Sequence, residues 1–208
     1  MRRFAHQLGH PTGVAGSLVG RLLDRANRGP VTGSVEALGV ESGTAVADIG
    51  FGGGLGLRQL IDKVGPQGAT HGIDISTRAM SDARRRFRRE IAERRLHLTQ
   101  APMDRIPLPG NSLDRAMTVN TLYYVPDEDL RPSIDELARV LRPSGRLVVG
   151  LGDPDFMATL PFSAGLRLRP LDEVVTAIVA AGLVVVDHRR VGTSDRAFHV
   201  FAAEPSKG

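Results

Sequence analysis

The sequence predicts a single α/β domain spanning residues 1–208, built on a seven-stranded, mostly parallel sheet flanked by helices. Three observations predict it. From Ala45 onward, short apolar runs alternate with helical patterns, which is how β-α-β units read. A glycine-rich turn, Gly50-Phe51-Gly52-Gly53-Gly54, follows the first of those runs directly. At 208 residues the chain can bury one continuous core without disulfides or structural metal, while a second domain would be cramped. Residues 1–40 read as a helical cover and 41–208 as the core.

Thr44–Ile49 reads as the first strand, and Leu55–Val64 as a helix that starts where the glycines stop. Ala69–Ile75 is the second strand. Ser76 can cap the next helix, expected to run to about Arg94, because Met80, Ala83, Phe87 and Ile91 recur at three- and four-residue spacing. Leu96–Ala101 and Arg115–Leu122 read as strands three and four, separated by a loop that Pro107, Pro109 and Gly110 keep irregular. Asp127–Leu141 is helical by pattern and tolerates Pro132 in its first turns. Pro143-Ser144-Gly145 should end it, before strand five at Arg146–Gly150. A helix over Pro170–Ala181 and a partly antiparallel pair, Leu183–Val191 and Ala197–Ala203, complete the sheet. Ahead of it, Val14–Asn27 and Pro30–Leu38 read as two helices able to cover its ligand side.

Composition narrows the chemistry. No cysteine is present, which excludes disulfides, thiolate metal sites and cysteine nucleophiles. The N-terminal residues contain no signal-peptide core, and no window approaches the roughly 18 apolar residues of a membrane span. A cytoplasmic protein without a membrane partner or a bound metal is expected. The net charge of +4 raises nucleic acid as a partner, but the arginines concentrate in Arg84-Arg85-Arg86, Arg88-Arg89 and Arg94-Arg95. Their helix should pack through Phe87 and turn the arginines to solvent, away from the strand ends. Aromatic residues make up only 4% of the chain, too few for base stacking, so no nucleic acid is expected.

In a doubly wound sheet, ligands bind at the carboxyl ends of strands where connections diverge, and the 48–54 turn falls there. Glycines at 50, 52 and 54 would let a ligand approach the backbone. A dinucleotide fingerprint G-x-G-x-x-G counted from Gly50 needs glycine at position 55, which is Leu55. Asp48 would repel a pyrophosphate but suit a cationic ligand. Asp74 ends the second strand about 20 residues later, where a carboxylate can accept ribose hydroxyls.

With these residues in place, the chain resembles the class I S-adenosylmethionine-dependent methyltransferases, particularly the small-molecule group, from about Val31 to Glu204. Val46-Ala47-Asp48-Ile49-Gly50-Phe51-Gly52-Gly53-Gly54 matches that family's cofactor loop, and Gly72-Ile73-Asp74-Ile75-Ser76 its ribose-binding strand end. Met103-Asp104 resembles the segment that holds adenine, with Asp104 in the position that accepts from its exocyclic amine. Asn120-Thr121-Leu122-Tyr123-Tyr124-Val125 resembles the end of strand four, and Leu141-Arg142-Pro143-Ser144-Gly145 the turn before strand five, with Ser144 replacing a glycine. The resemblance implies S-adenosylmethionine as cofactor and a methyl acceptor that is a small molecule.

Methyl transfer from a sulfonium is an in-line displacement, so alignment supplies much of the rate and a base is needed only for a protonated nucleophile. Tyr123, Tyr124, His10 and His6 are the candidates. The apolar Phe156, Met157 and Phe162, in a segment 153–169 without regular periodicity, are expected to line an acceptor pocket together with the N-terminal helices. The protein is expected to be a monomer or homodimer. A non-methylating role on the same cofactor pocket, such as a pericyclic step, is the alternative. Nucleic-acid methylation is less favoured, since no Pro-Pro-Tyr element follows strand four.

Overall fold

The computed structural model describes residues 27–161, 163–192 and 197–206. Strands β1 (Ala45–Ile49), β2 (Ala69–Asp74), β3 (Leu96–Gln100), β4 (Leu113–Val119), β5 (Leu141–Gly152), β6 (Leu183–Val191) and β7 (Phe198–Pro205) form one sheet in the order β3-β2-β1-β4-β5-β7-β6. The first five pair in parallel, and β7 runs antiparallel to both β5 and β6. The expected seven-stranded, mostly parallel architecture is therefore the observed one. Because β1 pairs with β2 on one side and β4 on the other, the chain reverses its direction of travel across the sheet beside β1.

Helix α1, over 27–38, packs on one sheet face. Its Val31, Val35 and Leu38 bury with Val46, Met117, Val148 and Val200 of the strands and with Leu60 and Val64 of α2 (Leu55–Val64). Each such side chain contributes about 1.5–3 kcal/mol on leaving water. Its apolar stripe lies against the sheet face, and its first described residue, Asn27, is bonded to Asn120 just past the end of β4. Residues 14–26, expected as the first helix, lie outside the described residues.

The long helix expected to reach Arg94 is two. Helix α3 (Thr77–Arg86), capped by the Ser76 hydroxyl, stops at Phe87, and α4 (Arg88–Ala92) starts there. Phe87 leaves helical geometry while remaining fully buried, with its ring beneath Gly54 and the guanidinium groups of Arg58 and Arg86 4.8 and 5.4 Å from its centre. On the other face, α5 (Asp127–Val140) and α7 (Leu171–Ala180) contribute Ile134, Leu137, Val174 and Ile178 to a core with Ile49, Ala116, Leu147 and Phe201.

Two strands differ from expectation at their ends. β4 stops at Val119, because Asn120 adopts left-handed backbone at φ 58° and Leu122–Tyr124 winds as a 3₁₀ turn. β5 starts at Leu141, and the residues between Leu141 and Arg146, Pro143-Ser144-Gly145 among them, bulge where the register against β4 slips. Among the described residues, no helix is long and apolar enough to cross a membrane.

Candidate cofactor site

The carboxyl ends of β1, β2 and β4 meet in a ledge around the glycine loop. Gly50, Gly52 and Gly54 all have positive φ (75°, 50° and 76°), which L-side chains adopt only with strain. Their surroundings differ. A Cβ at Gly50 would overlap the Thr121 side chain, and one at Gly54 would come within 2.9 Å of the Phe87 ring, whereas one at Gly52 would meet nothing within 4 Å. Gly50 and Gly54 are thus glycine for packing, while Gly52 borders open space. Phe51 is buried in the core cluster of α2 and Phe87, so its contribution to a ligand site is its backbone.

Asp74 joins the two strand ends. Its Oδ2 accepts from the Gly52 amide at 2.9 Å and its Oδ1 from the Ser76 amide at 2.8 Å, leaving each oxygen further acceptor capacity. Beside it Ile75 is 68% exposed, an unusual position for a large aliphatic residue that no contact explains. Ser76 caps α3 with its hydroxyl and holds Asp74 with its amide. Across the ledge, Met103 is buried among Ile73 and Ile106, and Asp104 is half-buried in the turn after it. The loop carrying them is fixed from α5: Glu136 accepts from the Ile106 amide at 2.7 Å, and Arg139 donates to the Ile106 and Leu108 carbonyls.

Asp48 sits lower. Only 3% exposed, it lies under the first turn of α2, where a Cβ on Gly56 would overlap its Oδ2 and the Leu57 amide donates to its carboxylate. Burial first, then the charge of Asp74, push its pKa up to about 8. The sequence pattern suggested a carboxylate facing the ligand directly; in the fold it forms the floor beneath the loop.

Asn120 donates from Nδ2 to Asn27 Oδ1 at 3.0 Å, linking the start of the described part of α1 to the end of β4, and Thr121 donates its hydroxyl hydrogen to the Gly50 carbonyl at 3.2 Å. The two tyrosines separate. The Tyr123 hydroxyl is buried against the backbone of Gly152, accepting from its amide at 2.5 Å and lying 3.2 Å from its carbonyl, and burial raises its pKa. That arrangement ties β5 to the 3₁₀ turn and removes Tyr123 as a base at neutral pH, correcting its place among the candidates. Tyr124 is 59% exposed. His6, His10 and Phe162 lie outside the described residues.

The segment after β5 is more regular than its sequence suggested. Asp153 accepts from the amides of Asp155 and Phe156 and caps a short helix, α6 (Pro154–Ala158), with Pro154 in its first turn. Phe156 and Met157 on it are half-buried, and Met157 packs on the core beside Gly152. The arginine run is mostly exposed as expected, but Arg86 reaches the glycine loop and donates to the Gly53 carbonyl at 2.9 Å.

A family model described as a methyltransferase domain matches residues 46–145. The methyltransferase GfsG of Streptomyces halstedii is 30% identical over 171 residues, which cover 77% of this chain and 60% of the relative. By both comparisons the chain is similar to the class I S-adenosylmethionine-dependent methyltransferases. It spans about 60% of that relative's length and 33% of the next, a 37.1 kDa protein from a transposon of Streptomyces fradiae. Solved structures agree on the fold. A SAM-dependent methyltransferase from Aquifex aeolicus aligns with TM-score 0.72 at 22% identity, over 88% of this chain and 95% of that one. Geranyl diphosphate C-methyltransferase from Streptomyces coelicolor A3(2) aligns at 0.73 and 17% identity, over 96% and 88%. The [4+2]-cyclase SpnF aligns at 0.72 and 20%, over 88% and 83%.

The residues that resemble that family's cofactor loop and ribose-binding strand end thus lie together at the ledge. Sequence reading missed Gly56, Thr121 and Arg169. Gly56 hid within a helical pattern where glycine looks merely weak, and its need appears only when Asp48 is placed beneath it. Arg169 is nine-tenths buried and donates to the carbonyls of Leu122 and Val125 and to Asp127, pinning the turn after β4 from the segment after β5. No periodicity signals such a residue.

Proposed function

We propose that the chain transfers the methyl group of S-adenosylmethionine to an oxygen, nitrogen or carbon of a small, partly apolar metabolite. The observation that carries this reading is the joint between Asp74 and Gly52, at the carboxyl edge where the strand order reverses. The residues fit the cofactor. Asp74 retains acceptor capacity for ribose hydroxyls, exposed Ile75 offers an apolar face for the nucleoside, Asp104 an acceptor for an adenine amine, and Gly52 an open approach. Asp48, Gly50, Phe51, Gly54, Ser76, Met103 and Asn120 shape and hold that ledge. Bound there, the cofactor supplies an electrophilic methyl on a cationic sulfur.

The chain's own part is alignment and exclusion of water. Phe156 and Met157 on α6 form the apolar side of the acceptor site. Where the acceptor carries a proton, Tyr124 or His10 is the candidate to take it; burial raises the Tyr124 pKa, so its part in such a step grows at high pH. Calorimetry with S-adenosylmethionine and S-adenosylhomocysteine tests the cofactor, and accumulation of S-adenosylhomocysteine across a panel of small acceptors tests the transfer. Absence of binding to either nucleoside overturns the reading. A second reading, a non-methylating reaction in the same pocket, is supported by the fold shared with the [4+2]-cyclase. Turnover of an acceptor without loss of the methyl group from the cofactor favours it.

A further inference from the structure

Two carboxylates lie side by side under the cofactor ledge, with no cation between them among the described residues. Asp48 pairs in register with Gly72, so Asp74, two residues further on the same face of β2, is its diagonal neighbour. They are 3% and 8% exposed. Asp74 is held by two backbone amides and Asp48 by one, from Leu57. No lysine, arginine or histidine pairs with either among the described residues.

The elements packed around Asp48 supply none. On α2, Arg58 is committed to Glu90 of α4 at 2.6 Å, and Lys63 stands at the far end of the helix. On α3, Arg86 is bonded to the Gly53 carbonyl. From β4, the group against Asp48 is the Met117 methyl, which sits with Asp48 Oδ2 in the space a Gly56 side chain would fill. Two buried anions without a countercharge are costly, and such a group neutralises by holding a proton.

We propose that Asp48 holds a proton in the empty site and releases it when a sulfonium cofactor binds, so that it distinguishes S-adenosylmethionine from S-adenosylhomocysteine by charge. The proton leaves the Asp48 carboxyl for solvent, and the positive sulfur of the ligand replaces it as countercharge. The demethylated product carries no charge on sulfur and drives less ionisation. The rise of the Asp48 pKa to about 8 supports this, since the group is then largely protonated near neutral pH. The inference rests on the cofactor reading above and assigns Asp48 a specificity role within it.

The test is calorimetric titration of the full chain with each nucleoside near pH 7, in buffers of differing ionisation enthalpy, which counts the protons released. S-adenosylmethionine should release up to about one proton more than S-adenosylhomocysteine. Asp48→Asn, which mimics the protonated side chain, should reduce that difference to whatever protons the ligands themselves contribute. At about pH 9.5, where Asp48 is already ionised, wild type and Asp48→Asn should show the same difference between the two ligands. Equal release by the two ligands near pH 7, or a wild-type difference no larger than that of Asp48→Asn, overturns the proposal. If neither nucleoside binds at all, the cofactor reading itself fails.

Discussion

The amide of Gly52 donates to Oδ2 of Asp74 at 2.9 Å, so the tip of the glycine loop hangs from the residue that ends the neighbouring strand. One carboxylate therefore both shapes the loop and faces the proposed ribose. Asp74→Ala should weaken binding of S-adenosylhomocysteine by about 1.5–3 kcal/mol, the range for hydrogen bonds to a charged group. Asp74→Asn keeps one good acceptor and turns an amide donor toward the other backbone N–H, and its affinity should fall between wild type and alanine. Isothermal titration of the three proteins checks the order; an alanine variant that binds like wild type contradicts the role of Asp74.

Gly50 and Gly52 should respond differently to the same change. Gly50→Ala must both hold a strained φ of 75° and push against Thr121, for a combined cost of about 2–5 kcal/mol. Gly52→Ala meets only the backbone strain, about 1–2 kcal/mol, because its added methyl enters open space. That space is where the ligand is proposed to lie, so Gly52→Ala should keep the fold yet lose at least about tenfold in cofactor affinity, some 1.4 kcal/mol. Chemical denaturation paired with calorimetry separates the two variants, and equal destabilisation would contradict the distinction.

What the sequence made legible follows from period and punctuation. The β-α alternation, the glycine turn and the carboxylate ending β2 lie within short windows, and each matched its place in the fold. Phe87 shows where periodicity misleads: it fits the apolar stripe of one long helix, yet burying its ring beneath Gly54 breaks that helix in two. Tyr123 shows the limit for side chains. Its position after strand four was readable, but the bond of its hydroxyl to Gly152, 29 residues away, is a tertiary fact. The orientation of Asp48 was hidden for the same reason, since one strand-end residue can face a ligand or a helix and only packing decides.

Tyr123→Phe should cost about 1–3 kcal/mol of stability, because the buried Gly152 backbone loses its partner. With any acceptor that is turned over, its pH–rate profile should match wild type, as a phenol pushed upward by burial does not titrate in the working range. A lost basic limb in that profile would restore Tyr123 as a base.

Arg169 should be more demanding than its loop position suggests. Its guanidinium serves the Leu122 and Val125 carbonyls at 2.7 Å each and Asp127 at 2.6 Å. Arg169→Met should destabilise by about 1–3 kcal/mol for each of the buried Leu122 and Val125 carbonyls it leaves without a donor, while the exposed Asp127 carboxylate turns to water. Arg169→Lys keeps the charge but not the planar fork, and should recover only part of the loss. Urea denaturation midpoints give the comparison; full recovery by lysine would mean that charge alone matters.

Two groups shifted by desolvation should impose opposite pH dependences on the stability of the protein. His71 on β2 stacks on His97 of β3, and burial, then the charge of His97, lower its pKa from 6.5 to about 4. Between those values the unfolded chain binds the proton and the folded one does not, so the His71 contribution to stability is full above 6.5 and is lost as pH falls toward 4. Asp48 has the reverse sign. Its pKa rises from 3.8 to about 8, so the folded chain binds the extra proton, and its contribution is lost as pH climbs through 8. The two slopes oppose each other from about pH 4 to 6.5 and leave a net decline from there to about 8. Replacing His71 by Gln should expose the Asp48 slope across the whole range, and replacing Asp48 by Asn should leave stability that rises from pH 4 and then levels. Thermal unfolding of both variants across that range measures each slope separately; parallel curves for the two would show that neither group titrates as its burial requires.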